Sequence, residues 1–110
     1  MGTRCDMFVE KENGQYIGVQ CFFDGYPERM INELRACTYE ALNNYIIVAG
    51  SRGGFRLFSP TSGESEYLDD TPLYLYDPFT KKTDADYIYI LNLNKKIQWR
   101  SPLNKDWITE

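Results

Sequence analysis

The chain has 110 residues and a formal net charge of −4, with 12 Lys and Arg against 16 Asp and Glu. This length predicts one domain over residues 1–110, able to bury roughly two-thirds of the surface that the unfolded chain exposes. The mild negative charge argues against non-specific nucleic-acid binding, which depends on neutralising phosphates. No apolar run approaches the roughly 20 residues that a membrane helix needs, so we expect no membrane partner.

The start of the sequence, residues 1–6, lacks the charged and then apolar layout of a signal peptide. We therefore expect a cytoplasmic protein. In that compartment the three cysteines, at positions 5, 21 and 37, are expected to be reduced.

Two strands are predicted first, over residues 3–11 and 15–23. A two-residue turn between them would mix polar and apolar side chains on both faces of the hairpin. A three-residue loop with Gly14 in the left-handed conformation instead pairs Lys11 with Gln15. We prefer this second register, because it makes one face almost wholly apolar and buried patterning fixes register.

The preferred register places Cys5 opposite Cys21 and Thr3 opposite Phe23, with Cys21 and Phe23 facing the core. Two interpretations of the cysteine pair stay open. They form either a cross-strand disulfide or two-thiol site, or a pair of small core residues, since free cysteine is among the most buried residue types.

Residues 24–27, with the sequence Asp-Gly-Tyr-Pro, predict a tight turn followed by a helix that runs to about Cys37. Gly allows a positive φ, and Pro suits the first helical turn. Arg4, Asp24 and Tyr26 lie at this end of the hairpin. An Arg4–Asp24 ion pair is expected to lock the turn, and the alternative is that these groups line a small pocket.

A second helix is predicted from Tyr39 to about Ala49, with Thr38 as its N-cap. The β-branched residues at 46–48 leave open that this segment ends as a strand. Gly50 is expected to terminate it in either case.

The remaining strands are predicted at 55–58, 71–76, 85–92 and 97–100, with a polar loop at 59–66. After the helices, the chain is expected to form an antiparallel meander. The predicted fold class is therefore α+β: an N-terminal hairpin, one or two helices, and a C-terminal meander, with the helices packed on one face of the sheet.

Four tyrosines alternate along two of these strands, at positions 74, 76, 87 and 89. Together, Tyr87, Tyr89 and the tyrosines at 74 and 76 form either an aromatic binding surface or the half-covered second face of the sheet.

Residues 50–54 (Gly-Ser-Arg-Gly-Gly) are the one phosphate-like loop. Glycines expose backbone amides, and the Arg52 guanidinium can bind phosphate oxygens. However, the predicted order is helix, loop and strand, whereas nucleotide-binding loops follow a strand and open a helix. The alternative is a glycine C-cap and a turn.

The chain contains no histidine, which excludes Ser-His-Asp and Cys-His arrangements within it. The cysteines lack the short paired spacing of a zinc site, and no acidic cluster follows a calcium-loop pattern. We therefore predict no metal, no cofactor and no enzymatic activity. An enzyme that uses Asp24 or one cysteine alone is the least supported option.

Three features occur together in the first part of the chain: residues 2–4 (Gly-Thr-Arg), a glycine turn further on, and residues 21–27 (Cys-Phe-Phe-Asp-Gly-Tyr-Pro). In this combination the chain resembles a family of small uncharacterised proteins common in bacteriophages and prophages. Its members have G-T-R, a hairpin, and a segment close to C-H-W-D-G-Y-P that leads into a helix. The resemblance is good over residues 2–34 and loose beyond, where a tyrosine-rich strand like 86–90 and a Trp segment like Trp99 recur.

This chain departs from the family at Phe22 and Phe23, where members often have His and Trp, and lacks a usual glycine near Met30. The resemblance implies a phage or prophage origin, and so a bacterial host cell as the location. It implies no reaction.

The leading hypothesis is a non-enzymatic interaction protein that binds or inhibits a host protein, such as a defence component, or another phage protein. The alternative is a small-molecule or nucleotide-binding protein with a small anionic ligand. The expected binding residues are Arg4, Phe22, Asp24, Tyr26, Arg52, Tyr87 and Tyr89.

Overall fold

The computed structural model describes residues 2–80, 82–104 and 106–110. Within these ranges the chain forms two helices and a seven-stranded mixed sheet that begins with a β-hairpin, an α+β architecture as predicted. The strands are β1 (Cys5–Glu10), β2 (Tyr16–Phe23), β3 (Phe55–Leu57), β4 (Glu66–Tyr67), β5 (Tyr87–Leu91), β6 (Ile97–Arg100) and β7 (Ile108–Thr109). Their spatial order is β4-β3-β2-β1-β5-β6-β7.

The predicted hairpin register is confirmed. The Lys11 amide donates to the Gln15 carbonyl at 2.7 Å, and the Gly14 amide donates to the Lys11 carbonyl at 3.0 Å. Gly14 has a φ of +77°, the left-handed conformation that the three-residue loop requires. Cys5 therefore pairs with Cys21, and the two strands present one continuous apolar face.

Both paired cysteines are free thiols and fully buried, so they are members of the core. The prediction that Phe23 is also a core residue is wrong, because its side chain is 40% exposed. Phe23 ends its strand and is covered instead by the Arg56 guanidinium, which lies 5.6 Å from the ring centroid.

The central strand β1 is buried on both faces. Its odd-numbered residues share one apolar cluster with side chains of both helices, among them Met30, Leu34, Leu42 and Ile46. Its even-numbered Phe8 forms a second cluster on the other face with Ile88 and Ile90, covered by Tyr16, Leu75 and Trp107. Gly18 makes room there, since a Cβ atom at this position would lie 2.5 Å from the Phe8 ring.

The helices are α1 (Pro27–Arg35) and α2 (Tyr39–Ser51). The Thr38 hydroxyl accepts a hydrogen bond from the Ala41 amide at 3.0 Å, which confirms the predicted N-cap. Neither helix has the length and apolar content needed to cross a bilayer.

The helical interpretation of residues 46–48 is confirmed, and the prediction that Gly50 terminates α2 is wrong. Gly50 lies inside the helix. The ring of Tyr74 packs directly on it and leaves no room for a Cβ atom. The Tyr74 hydroxyl also donates to the Ile47 carbonyl at 2.6 Å, which holds the ring in place.

The predicted strand at residues 71–76 does not form a ladder. The Leu73 amide donates to Gly50 and the Leu75 amide donates to Gly18, both at 2.8 Å. These two amides thus bond to different elements, and a single isolated bridge to β2 results. A C-terminal meander that includes residues 71–76 is therefore not confirmed.

Strand β5 lies beside β1 and runs parallel to it, with Met7 opposite Tyr89. In the C-terminal part of the sheet, β6 pairs antiparallel with both β5 and β7. The sheet is mixed because β1 pairs parallel with β5 and β2 pairs parallel with β3, while the other pairs are antiparallel.

The turn at residues 24–27 is bonded to β5 and to the segment just before β1. Asp24, and not Gly25, has the positive φ, at +57°. The Gly25 amide donates to the Thr3 carbonyl at 2.9 Å, and the Gly25 carbonyl accepts from the Tyr89 hydroxyl at 2.6 Å. Gly25 is required for close packing, because a Cβ atom there would lie 2.8 Å from the Cβ atom of Cys5.

Replacing Gly25 with Ala should lower the free energy of unfolding by about 1–3 kcal/mol, the usual cost of overpacking a core. Urea denaturation measures this change. The matched control is Gly14→Asn, since a Cβ atom at Gly14 meets no described atom within 4 Å and Asn tolerates the left-handed conformation. Equal stability of Gly25→Ala and wild type would contradict the packing role.

Candidate functional site

A polar network covers one end of the sheet on the side opposite the helices. Asp6 and Gln20 are direct neighbours across β1 and β2. The Gln20 side-chain amide donates to Asp6 Oδ1 at 3.2 Å and to Asp84 Oδ1 at 2.8 Å. The Thr83 hydroxyl donates to Asp6 Oδ2 at 2.8 Å, and Arg4 Nη1 lies 2.7 Å from Asp84 Oδ2. These five residues form what we call the polar network.

The two carboxyl groups of the network have opposite electrostatic environments. Asp6 is only 3% exposed, and its burial raises the pKa of the carboxyl above the ordinary value. The hydrogen bond from Gln20, with a smaller effect of the Arg4 charge, lowers the pKa of Asp84. Opposite shifts in neighbouring carboxyl groups are typical of acid–base pairs. Here, however, each Asp6 oxygen already accepts a bond from Gln20 or Thr83, which suits a structural anchor.

A cleft of about 570 Å³ opens beside the network. It is lined by Asp6, Phe8, Gln20, residues 73–77, Thr80 and residues 82–84. A second cleft of about 450 Å³, lined by Tyr16 and Phe79, adjoins it, since Tyr76 and Asp77 line both. Together these two clefts form a continuous indented region of the surface.

Three large apolar side chains project around these clefts. Leu73 is 53% exposed, Tyr76 is 66% exposed and Phe79 is 52% exposed. We call these three residues the apolar rim. Phe79 is held in position by edge-on contacts with Tyr16 and Trp107, at centroid distances of 5.4 and 5.7 Å.

A separate groove of about 400 Å³ lies on the helix side of the sheet. It is lined by Pro27, Glu28, Ile31, Asn32, Tyr87, Trp99 and Glu110. The rings of Tyr87 and Trp99 are 6.0 Å apart and inclined at 63°. The Trp99 indole donates a long hydrogen bond of 3.4 Å to Glu110 Oε2. We call this the Tyr87–Trp99 groove.

The structure changes the predicted role of Arg4. The expected Arg4–Asp24 ion pair is wrong, because Arg4 pairs with Asp84 and its amide donates to Asp86 at 3.1 Å. The Arg4 guanidinium also lies over the Phe22 ring, 4.9 Å from its centroid. Arg4 therefore locks the segment before β5 onto the hairpin. Asp24 is exposed, and its carbonyl accepts from Arg29 at 3.1 Å.

The four alternating tyrosines do not form one surface. Tyr89 is 1% exposed and belongs to the core, so it cannot meet a partner in this structure. Tyr87 is half-buried and lines the groove, whereas Tyr76 is on the rim of the opposite face. Tyr26 is exposed at the start of α1. Only Tyr87 of the predicted residues thus lines a described groove.

The glycine-rich loop forms a helix C-cap and a turn, the alternative that its position favours. The Arg52 and Gly54 amides both donate to the Ala49 carbonyl, at 2.9 and 2.7 Å, so neither is directed at a ligand. The Arg52 guanidinium lies 3.3 Å from Asp70 and stacks over the Tyr67 ring. Arg52 and Arg4 contact different elements, and the structure does not bring them into one site.

Apart from Arg4 in the polar network and Tyr87 in the groove, sequence reasoning missed the residues that form these two regions. Asp6 and Gln20 had a usable signal, because the predicted register places two polar side chains opposite each other within an apolar hairpin. Thr83 and Asp84 had none, since they contact Asp6 and Arg4 across nearly the whole chain. Trp99 and its groove also depend on strand pairing that no local pattern specifies.

No family model matches the chain, and neither a curated protein nor a solved structure matches it significantly. The resemblance to phage and prophage proteins therefore stays a prediction, and the contacts described above have to support any function on their own.

Replacing Asp6 with Asn should preserve the hydrogen bonds to Gln20 and Thr83. The Asn oxygen can accept from Gln20, and the Asn amide can donate to the Thr83 hydroxyl, which can also accept. Since burial raises the pKa of Asp6 in the fold, its contribution to stability is largest below the unfolded-state pKa. That contribution is lost as the pH rises through the folded-state pKa. The stability of Asp6→Asn relative to wild type should therefore increase from about pH 3 to about pH 7.

Urea denaturation across this pH range measures the effect. Asp84→Asn is the control with the opposite sign, because the pKa of Asp84 is lowered and its contribution is lost as the pH falls. Parallel pH profiles for Asp6→Asn and wild type would contradict the burial effect.

Proposed function

We propose that this chain is a non-enzymatic interaction protein that binds a protein partner through the apolar rim. The observation that supports this most directly is the exposure of Leu73, Tyr76 and Phe79, each more than half accessible within one short segment. Contiguous exposed apolar surface on a small domain marks interaction sites. Aromatic side chains in particular are enriched at the centre of protein interfaces.

The rim is rigidly supported, which favours binding. Leu75, between Leu73 and Tyr76, exchanges two backbone hydrogen bonds of 2.8 Å with Gly18 of β2. The carbonyl oxygens of Phe79 and Thr80 accept from the buried Arg100 guanidinium at 3.4 and 3.3 Å. A surface fixed in this way loses little conformational entropy when a partner binds.

Polar side chains surround the apolar rim. Asp77 lines both clefts, and Lys82 and Asp84 line the larger one. An apolar centre with a charged periphery is the usual layout of a protein interface. The partner we propose is a host protein, such as a defence component, or another phage protein, in the bacterial cytoplasm. This class of partner rests on the resemblance to phage and prophage families.

The non-enzymatic part of the proposal is supported by the polar network. Its two carboxyl groups accept hydrogen bonds from side chains that hold the segment before β5 on the sheet. General acid–base catalysis needs a group free to reach a substrate proton. Asp6 and Asp84 are used for anchoring instead.

Replacing Leu73 and Tyr76 together with Ser should weaken partner binding by about tenfold or more, since central interface residues contribute most of the affinity. Quantitative cross-linking and affinity capture from host lysate, with wild type and variant in parallel, measures this loss. The matched control is Ile47→Ser with Val48→Ser, two exposed apolar residues on α2.

Thermal unfolding of both variants separates loss of binding from loss of fold. Repeated capture without any enriched partner would contradict the proposal. So would equal recovery of a partner by wild type and the rim variant.

The alternative is a small-molecule or nucleotide-binding protein. The larger cleft favours it, because about 570 Å³ is within the range of ligand pockets. Against a small anionic ligand, Arg4 and Arg52 contact different elements, and Tyr26 lies elsewhere, so the structure does not bring these residues into one site.

Thermal-shift measurements against nucleotides and cyclic nucleotides test this alternative. A rise of the melting temperature that Arg52→Ala abolishes would favour nucleotide binding through the glycine-rich loop. Unchanged melting temperatures across the panel are the expected result, because the Arg52 and Gly54 amides are already bonded to Ala49.

A further inference from the structure

The Tyr87–Trp99 groove is on the opposite side of the sheet from the apolar rim. Tyr87 and Trp99 pack against the apolar cluster that contains the helices, whereas Leu75 of the rim segment packs against the second cluster. A function of this groove is therefore independent of the protein-binding function proposed above.

The two rings form the walls of the groove. Their planes are inclined at 63° with the centroids 6.0 Å apart, an edge-to-face contact, and both residues line the same groove. The buried ring of Tyr89 lies 6.4 Å from each of them and packs with both. The faces of aromatic rings attract cations, and convergent rings are the usual receptor for alkylammonium groups.

Two carboxylates complete the lining. Glu28 is exposed in the first turn of α1, and Glu110 is bonded to the edge of the Trp99 ring. None of the described residues that line the groove is Lys or Arg. Arg35 approaches Glu110 at 3.4 Å from outside, but its side chain is half-exposed and such pairs are weak in water. The lining is thus negative as well as aromatic.

From this combination we propose that the Tyr87–Trp99 groove binds an alkylammonium group. The groove, at about 400 Å³, has room for a trimethylammonium group and the start of the chain that bears it. The rings contact the methyl or methylene groups, and Glu28 and Glu110 balance the positive charge. The same chemistry is presented by a free amine such as choline and by a lysine side chain.

Titration with choline chloride, followed by the two indole N–H signals in a nitrogen–proton NMR correlation spectrum, tests the proposal. The Trp99 signal should shift and saturate, while the Trp107 signal stays in place as an internal control. The neutral isostere 3,3-dimethylbutanol, at matched ionic strength, should bind about threefold or more weakly because it lacks the charge. A Trp99 response that is equal for choline and its neutral isostere would overturn the proposal.

Replacing Glu28 and Glu110 together with Gln keeps the shape of the groove and removes its charge. This variant should bind choline about threefold or more weakly than wild type, and its thermal unfolding reports on the fold. Glu40→Gln is the matched control, because Glu40 also lies in the first turn of a helix and is absent from the groove. Unchanged affinity of the double variant would overturn the role of the carboxylates.

A second titration, with Nα-acetyl-lysine amide, distinguishes the two sources of the group. Tighter binding of the lysine derivative supports a side chain of a protein ligand, and tighter binding of choline supports a free amine. Failure of both to bind overturns the proposal, whatever the outcome for the apolar rim.

Discussion

The contact of Gly25 with Cys5 and Tyr89 determines much of this fold. The backbone at Gly25 lies directly against β1, and its carbonyl accepts from the one buried tyrosine of β5 among the described residues. Because α1 begins two residues later, this contact also sets where the first helix starts. A side chain at position 25 would separate the turn from both strands. The Asp-Gly-Tyr-Pro segment is therefore best understood as the joint between sheet and helix.

The local features of the fold could be predicted, and the partners of its strands could not. The hairpin register follows from apolar alternation and from Gly14, and the start of α2 follows from the Thr38 hydroxyl. The alternation of side chains in residues 71–76 predicts a strand but does not say which strand it pairs with. In the structure the Leu73 amide bonds to α2 and the Leu75 amide bonds to β2. The parallel pairing of β1 with β5 joins residues that are distant in sequence. Arg4 was expected to pair with Asp24 in the nearby turn. It pairs instead with Asp84, which is also distant from it in sequence.

The two faces of the sheet present different chemistry because they are covered differently. One apolar cluster includes side chains of both helices, and the half-buried rings of Tyr87 and Trp99 that pack against it line a groove beside two carboxylates. Irregular segments cover the other face, and they need the polar network to hold them down. This looser cover leaves clefts and an apolar rim. Of the residues selected from the sequence, Arg4 stabilises that cover and Tyr87 lines the groove. Both of these roles depend on long-range contacts.

The position of β1 has a consequence for how the chain folds. The antiparallel partner of β1 is the next strand in sequence, so the hairpin can form as soon as both strands exist. Its parallel partner, β5, begins only at Tyr87. Contacts between distant segments form slowly, because closing a long loop costs entropy before the contact stabilises it. During synthesis on the ribosome, the free edge of β1 is thus unpaired until nearly the whole chain has emerged. An unpaired edge of an apolar strand is a site of aggregation, and the yield of folded protein will depend on how long it stays open.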